Sequence, residues 1–283
     1  MDVGIGLPVT IPGVAGKTVT EWARRAEQQG LTSLGVIDRL AYPNYEPMIA
    51  LGAAAAVTER VQLMSTILLA PLRSTGLLAK QAATLDVLSG GRFTLGVAVG
   101  GRPDDYAVGD ADFSGRGRAF DAQLDQMRQI WRGEADPGLG PQTTRADGPE
   151  LIVGGAGAHT VRRVVEHANG WIAAGGGPDA FTETADAVRA AWAEAGREGR
   201  PRLLALGYFS LGPDARAHAE SYITDYYGFL GPYASQFAAS VPVEPGALAD
   251  IGAAYDDVGC DELVLFPCST GLEQVELLAE VFR

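Results

Sequence analysis

A chain of 283 residues, 47% of them apolar, with no Ser/Pro-rich run and no block of like charge, has the size of one α/β barrel over residues 1–283. Its formal net charge of −13 excludes the clustered Lys and Arg that a nucleic-acid or anionic-membrane surface needs. The opening Met1-Asp2-Val3-Gly4-Ile5 has no basic segment followed by a long apolar one, so neither a signal peptide nor a membrane span is expected.

Eight short apolar segments read as strands: Val3–Leu7, Ser33–Ile37, Val61–Leu69, Phe93–Val99, Leu151–Val153, Gly170–Ala174, Leu203–Ser210 and Glu262–Phe266. Several are almost continuously apolar, the pattern of parallel strands covered on both faces. Helical spacing fills the intervals. Thr18 and Glu21 have capping-box spacing ahead of Val19, Trp22, Ala23 and Ala26, and Gly30 is placed to end that helix. Phe120, Leu124, Met127, Ile130 and Trp131 form one stripe, and Val161, Val164, Val165 and Ala168 a second. Phe181, Ala185, Val188 and Trp192 form a third, and Val275, Leu278, Ala279 and Phe282 the last. These aromatic and Met residues read as core.

Eight strands alternating with helices predict a single-domain (β/α)8 barrel. The competing doubly wound sheet would carry its dinucleotide fingerprint after the first strand. Gly4-Ile5-Gly6 lies inside that strand and the third fingerprint position is Val9, so the motif fails. Cys260 and Cys268 have neither CxxC nor metal-ligand spacing, which fits a reduced, cytoplasmic protein with free thiols. No metal is expected from three scattered histidines, and there is no nucleophile elbow or P-loop.

In a barrel the chemistry gathers where strands end. Strand two is followed by Asp38, Arg39 and Tyr42, read as a polar pair facing the cavity with a tyrosine beside it, or as a structural ion pair. Strand three passes through Ser65-Thr66-Ile67. Strand four leads into Gly100, Gly101, Arg102 and the acidic turn Asp104-Asp105-Tyr106. Cys268 follows strand eight without a basic neighbour and is a weak candidate thiol.

Two loops have the character of anion cradles. Gly154-Gly155-Ala156-Gly157-Ala158-His159 joins a strand to a helix expected near Thr160, offering bare backbone N–H groups and a helix N-terminus. Arg162 and Arg163 would then fall in the first turn, where cations are disfavoured by about 0.3–1 kcal/mol unless an anion binds. The alternative is a tight turn followed by two solvated arginines. Gly175-Gly176-Gly177-Pro178 is similar, with Pro178 at the first helical position and Asp179 already answering the dipole.

The stretch Leu78–Gly100, and above all Thr84-Leu85-Asp86-Val87-Leu88-Ser89-Gly90-Gly91-Arg92-Phe93, resembles the bacterial luciferase-like flavin monooxygenase superfamily. The resemblance continues through Gly4–Pro8, Asp38, Gly109, Arg116 to Trp131, Pro149–Gly157, Asn169-Gly170-Trp171, Ala195–Arg197 and Gly259–Glu262. It implies a (β/α)8 barrel binding reduced FMN or the deazaflavin coenzyme F420. The ring would lie against Ser65-Thr66-Ile67, with a non-prolyl cis peptide at Thr66–Ile67. Gly100, Gly154–His159, Gly175 and Gly176 would contact cofactor, and Tyr42 and Arg102 substrate.

Three departures narrow what can be carried over. Arg39 stands where the family has His. Gly101 stands where deazaflavin sugar-phosphate dehydrogenases have a catalytic Glu. The segment Gly133–Pro149 is short, implying a more open cavity. Asp38, Arg39 and Tyr106 are weak catalytic candidates, and no acid or base is assigned.

The expected activity is monooxygenation of a small organic substrate with reduced flavin and oxygen. Hydride transfer with F420 is the alternative, and flavin binding without turnover a third. A flavin reductase as partner and a homodimer are further expectations, whereas nucleic acid and membrane are not.

Overall fold

The computed structural model describes every residue except Asp136, Pro137 and Ala174. Nine strand segments make eight staves: β1 (Asp2–Gly6), β2 (Ser33–Val36), β3 (Gln62–Ser65), β4 (Leu68–Leu69), β5 (Phe93–Ala98), β6 (Glu150–Gly154), β7 (Gly170–Ala173), β8 (Arg202–Phe209) and β9 (Glu262–Pro267). Every pairing is parallel, and β3 and β4 both pair with β5, which closes the sheet into a barrel. Each predicted strand is found within a residue or two of its expected bounds. The last residue expected of the sixth, Ala174, lies outside the described residues.

The third predicted strand departs from expectation by breaking into β3 and β4. Met64 pairs with Thr94 and Leu68 with Val97, so four steps on one stave match three on its neighbour. The extra residue is a β-bulge. It pushes the Ser65 carbonyl toward β5, where a Cβ on residue 96 would lie 2.0 Å from that oxygen; only Gly96 fits. The ladder is repaired locally. Ser65 Oγ accepts from the Gly96 N–H (2.9 Å) and donates to the Gly96 carbonyl (2.8 Å).

Strand alternation divides the core in two. On β8, Leu203, Ala205 and Phe209 join the core beneath the outer helices. Leu204, Leu206 and Tyr208 join the barrel interior with Met64, Ile152, Ile172, Val264 and Phe266. The predicted stripes supply the helical side: Phe120, Leu124, Met127, Phe181, Ala185, Val188, Val275 and Leu278 are all buried. Burying one large apolar side chain stabilises by roughly 1.5–3 kcal/mol, so these faces hold the helices on the barrel.

The first helix spans Gly16–Gln29 with Ala15 as N-cap, and no side chain caps it. The expected capping box is therefore absent: Thr18 lies inside the first turn, and Glu21 pairs with Arg25 at 3.3 Å. Gly30 ends the helix as predicted, with φ of +82°.

The barrel floor is closed by charge. Arg202 bridges Glu150 (2.5 Å) and the buried Glu262, which also accept from Thr94 and Thr32. The segment between β8 and β9 is the longest excursion. Helices Ala215–Tyr226 and Pro232–Ser240 precede the barrel helix Pro245–Asp257, and their inner residues join the interior core.

Candidate active site

The bulge forms one wall of the barrel mouth. Ser65 and Thr66 are buried, and Thr66 is fixed to β2 through its N–H (2.8 Å) and Oγ1 (3.0 Å), both donating to the Val36 carbonyl. The Thr66–Ile67 peptide is cis, where the family resemblance implied one. Ile67 is half-buried. Its Cγ2 lies 3.1 Å from the position a Cβ on Gly154 would take and 3.4 Å from that of one on Gly96. The bulge therefore faces the end of β6, with no side chain between.

The loop after β6 is exposed from Gly155 to His159. Gly155 (φ +122°) and Gly157 (φ +78°) turn the chain into the helix Ala158–His167, which starts two residues earlier than expected. Trp171 Nε1 donates to the Gly155 carbonyl (2.8 Å), and Thr160 Oγ1 to that of Ala156 (3.1 Å). With those carbonyls engaged, the first-turn N–H groups of Ala158 and His159 are left without intrahelical acceptors. The neighbouring stave ends in a similar turn: Gly175 (φ +99°) and Gly176 (φ +92°) precede the helix Gly177–Glu194. Pro178 is the second residue of that helix, one place later than expected.

The arginines do not serve this loop. Arg163, buried, donates to Asp121 (2.6 Å) and to the Gly117 carbonyl, and Arg162 reaches Asp121 (2.9 Å) and Glu166. Both lie beyond the first turn, and Asp121 of the preceding helix neutralises them. The expectation that a bound anion offsets their charge is corrected.

Asp38 and Arg39 likewise do not pair with each other. Both lie in the coil beyond the end of β2, and each is taken by a partner distant in sequence. Asp38 accepts from the Leu69 N–H (2.8 Å) and from Arg73 (2.5 Å), tying β2 to β4. Arg39 donates to the buried Asp105 (2.7 Å) and reaches Asp104 (3.3 Å). Asp105 in turn accepts from the N–H groups of Leu40 and Ala41. Arg102 holds Asp104 through Nε (2.9 Å) and stacks on Phe229 at 3.8 Å. Its hydrogen bond holds the Asp104 carboxyl below the usual range.

The two tyrosines named from sequence are also engaged. Tyr106 is buried and donates to the Val99 carbonyl (2.5 Å); burial pushes its hydroxyl up to about 12. Tyr42 donates to Asp225 and packs edge-on against Tyr226 at 5.0 Å. Its hydroxyl is raised by burial and by that carboxylate. Asp38, Arg39, Tyr42, Arg102 and Tyr106 thus each have a protein partner, and none of them is a free acid or base.

Sequence reasoning missed the aromatic cap. Tyr208 at the end of β8 meets Tyr222, Tyr227 and Phe237 at ring distances of 6.0, 5.8 and 5.7 Å, and Tyr226 and Tyr227 lie 4.9 Å apart. Tyr222 bonds Thr10 after β1 (2.6 Å), so the cap is anchored across the mouth. The signal was present as three tyrosines and a phenylalanine in Tyr222–Phe229, in a chain only 8% aromatic. Cys268 lies buried beneath this cap with its thiol pushed up to about 12 by burial, which removes it as a nucleophile.

The most specific sequence motif proves structural. Asp86 accepts from the N–H (2.7 Å) and hydroxyl (3.1 Å) of Thr144. Arg92 donates to the carbonyls of Val61, Thr58 and Ser89, capping turns on the outer side of β3.

Comparison with known proteins agrees with this geometry. The family model described as luciferase-like monooxygenase matches residues 1–256, and the chain belongs to that family. It is 28% identical over 244 residues to an uncharacterized protein of Mycobacterium tuberculosis, covering 75% of this chain and 84% of that one. It is 29% identical over 203 residues to an F420-dependent glucose-6-phosphate dehydrogenase of Kribbella flavida, covering 65% and 61%. Among solved structures, an F420-dependent secondary alcohol dehydrogenase holding an F420-acetone adduct superposes with a TM-score of 0.78 at 18% identity, over 99% of this chain and 98% of that one. The oxygenating constituent of 3,6-diketocamphane monooxygenase of Pseudomonas putida, in complex with FMN, gives 0.73 at 16% identity, over 99% and 97%. At those identities the likeness shows the fold. Among the described residues no helix is long and apolar enough to cross a membrane.

Proposed function

We propose that this family member is a flavin-dependent oxidoreductase that uses reduced FMN and molecular oxygen on a small organic substrate. The carrying observation is the approach of Ile67, in the cis bulge, to Gly154 at the head of the glycine loop. An apolar platform for a ring and a backbone cradle for a phosphate stand side by side. The cradle depends on bare positions, since a Cβ on Gly155 would come within 2.8 Å of Thr160 Oγ1. Ser65, Thr66 and Ile67 would support the ring, and Gly100, Gly154–His159, Gly175 and Gly176 would surround its side chain and phosphate.

Bound reduced flavin supplies the electrons for oxygen activation. The chain's own part is orientation and exclusion of water. Ile67 and the tyrosine cap keep the mouth apolar, and Arg39, Arg102, Tyr42 and Tyr106 hold the loops in place rather than transferring protons. A single phosphate suits a loop that offers backbone N–H groups while its nearest arginines are held by Asp121. This favours FMN, because the longer, more anionic side chain of F420 calls for further cations.

Hydride transfer with F420 is the second reading, supported by the likeness to the Kribbella flavida dehydrogenase. The proposal implies a source of reduced FMN, such as a flavin reductase. It places the protein in the cytoplasm, where the free Cys260 and Cys268 stay reduced. Anaerobic titration of the full chain with reduced FMN and with reduced F420 tests it. Tight binding of FMN is expected, F420 alone binding would select the second reading, and binding of neither would overturn both. Binding without cofactor oxidation across a substrate panel would leave a flavin carrier.

A further inference from the structure

Five of the chain's nine tyrosines, Tyr42, Tyr208, Tyr222, Tyr226 and Tyr227, form one continuous series of ring contacts. Tyr208, 5% exposed, is the inner end, in the barrel interior with Met64, Phe266 and Cys268. From there the rings run from Tyr208 to Tyr227 at 5.8 Å, to Tyr226 at 4.9 Å and to Tyr42 at 5.0 Å. A second branch through Tyr222 joins Tyr208 (6.0 Å) to Tyr226 (5.7 Å). Tyr42 is half-buried and its partner Asp225 is exposed, so the series leads from the interior to the surface.

Packing alone does not account for the hydroxyls. Phenylalanine would fill such a cap without adding a buried polar group to satisfy. Tyr208 bonds Tyr227 (2.8 Å) and Tyr222 bonds Thr10 (2.6 Å), whereas at the outer end Tyr42 donates to the Asp225 carboxylate. Burial raises all five phenols, so each is protonated at neutral pH. A phenol that loses an electron becomes a strong acid and keeps the vacancy only by giving up its proton. Arg39 lies 5.8 Å over the Tyr226 ring and 5.9 Å over that of Tyr42, and its charge opposes positive charge on either. Oxidation at this end therefore requires proton loss, and Tyr42 has a carboxylate in place to receive it.

We propose that the tyrosine cap is a one-electron conduit that drains oxidising equivalents from the barrel mouth to Tyr42 at the surface. The oxidant is an oxygen-derived radical: hydroxyl radical takes one electron and leaves as hydroxide. The electron is replaced ring by ring from Tyr42, whose O–H bond breaks as its proton passes to Asp225. The products are a neutral tyrosyl at Tyr42 and a protonated Asp225, which neutralises the hydroxide through solvent. A solvent thiol then returns one hydrogen atom to Tyr42, and two thiyl radicals pair as a disulfide. The drain spares Met64 and Cys268, oxidisable side chains buried in the same interior. As protection against oxygen reduced without substrate it rests on the flavin reading above; as a conduit it stands on the rings alone. It is separate from turnover, in which Tyr42 only holds its loop.

The test injects the vacancy at the inner end without flavin. Pro178 borders the same cavity as Tyr208 and Tyr227, and Cys260 and Cys268 are only 4% and 3% exposed. A ruthenium tris-bipyridyl label therefore goes to Pro178→Cys in the full chain. Flash photolysis with persulfate as electron acceptor should give a tyrosyl radical, seen by absorbance and electron paramagnetic resonance, that forms more slowly in heavy water. Tyr42→Phe, Asp225→Asn and Tyr226→Leu, each in the labelled protein, should lower its yield at least about tenfold. Asp225→Asn leaves every ring in place, so a loss there reports the proton acceptor and not the packing. Tyr233→Phe, at a tyrosine 69% exposed, should leave the yield unchanged. No radical in the parent protein, or the parent's yield in any of the first three variants, would overturn the proposal. Loss of the radical in Tyr233→Phe would also overturn it, by placing the radical outside the cap. FMN binding is measured separately on the unlabelled chain. A radical at Tyr42 in a protein that binds no flavin would overturn the flavin reading and leave the conduit standing, whereas FMN binding without the radical would overturn the conduit alone.

Discussion

Ser65 Oγ both accepts from and donates to the main chain of Gly96, at 2.9 and 2.8 Å, standing in for the ladder bonds that the bulge removes. Ser65→Ala leaves a buried N–H and a buried carbonyl without partners, at about 1–3 kcal/mol for each group left unsatisfied. Urea denaturation should show a lower midpoint with unchanged slope. If the bulge supports the cofactor ring, FMN affinity should fall further than the stability loss explains.

Gly157 separates cradle from fold more cleanly than its neighbours. A Cβ there meets nothing within 4 Å, yet φ is +78°, a region that β-branched residues avoid. Gly157→Val is expected to reorient the first-turn N–H groups and weaken FMN binding by at least about tenfold. Its melting temperature should drop by only a few degrees. Unchanged FMN affinity would remove the phosphate from this loop.

Arg39 and Asp105, 7% and 1% exposed, form the most buried ion pair of the mouth. Removing one partner of such a pair typically costs about 3–5 kcal/mol, because the other charge remains buried. Arg39→Met should fall near the lower figure, since Asp105 keeps the N–H groups of Leu40 and Ala41. Adding Asp105→Asn should recover part of the loss. A neutral effect of Arg39→Met in urea would show that Asp105 does not depend on the arginine.

Alkaline pH should unfold the protein cooperatively. Burial raises the hydroxyls of Tyr106 and Tyr255 from 10.0 to about 12, and the thiols of Cys260 and Cys268 from 9.0 to about 12. Between those limits the unfolded chain releases protons that the folded chain retains. Stability contributed by these groups is therefore complete below pH 9 and is lost as pH rises toward 12. Tyrosinate absorbance and circular dichroism followed together should show the buried phenols ionising with loss of structure. Ionisation of every tyrosine near pH 10 with the fold intact would contradict this.

Local patterning was enough for the strands and for most of the helices. The apolar runs of β5, β8 and β9 are buried whichever way they face, and Phe120, Leu124 and Met127 lie on one side of their helix at any crossing angle. The capping spacing of Thr18 and Glu21 misled because the helix starts at Gly16, where packing of Val19 and Trp22 against the barrel outweighs a single cap. Asp38 and Arg39 misled because, in the coil beyond β2, each is taken by a partner distant in sequence, Arg73 and Asp105.

What the sequence by itself determined is the eight-stave barrel, the free thiols, the glycine loop after β6 and, through its resemblance to a family, the cis bulge at Thr66–Ile67. All of these rest on short-range pattern: alternation, backbone freedom at glycine, and a motif contiguous along the chain. The tertiary structure alone decided that Arg162 and Arg163 serve Asp121 instead of an anion, and that Asp38 belongs to Arg73 and Arg39 to Asp105. It alone gathered Tyr42, Tyr208, Tyr222, Tyr226 and Tyr227 over the mouth. Charge partners and ring contacts depend on which staves become neighbours when the sheet closes, and residues 42 and 225 meet only then.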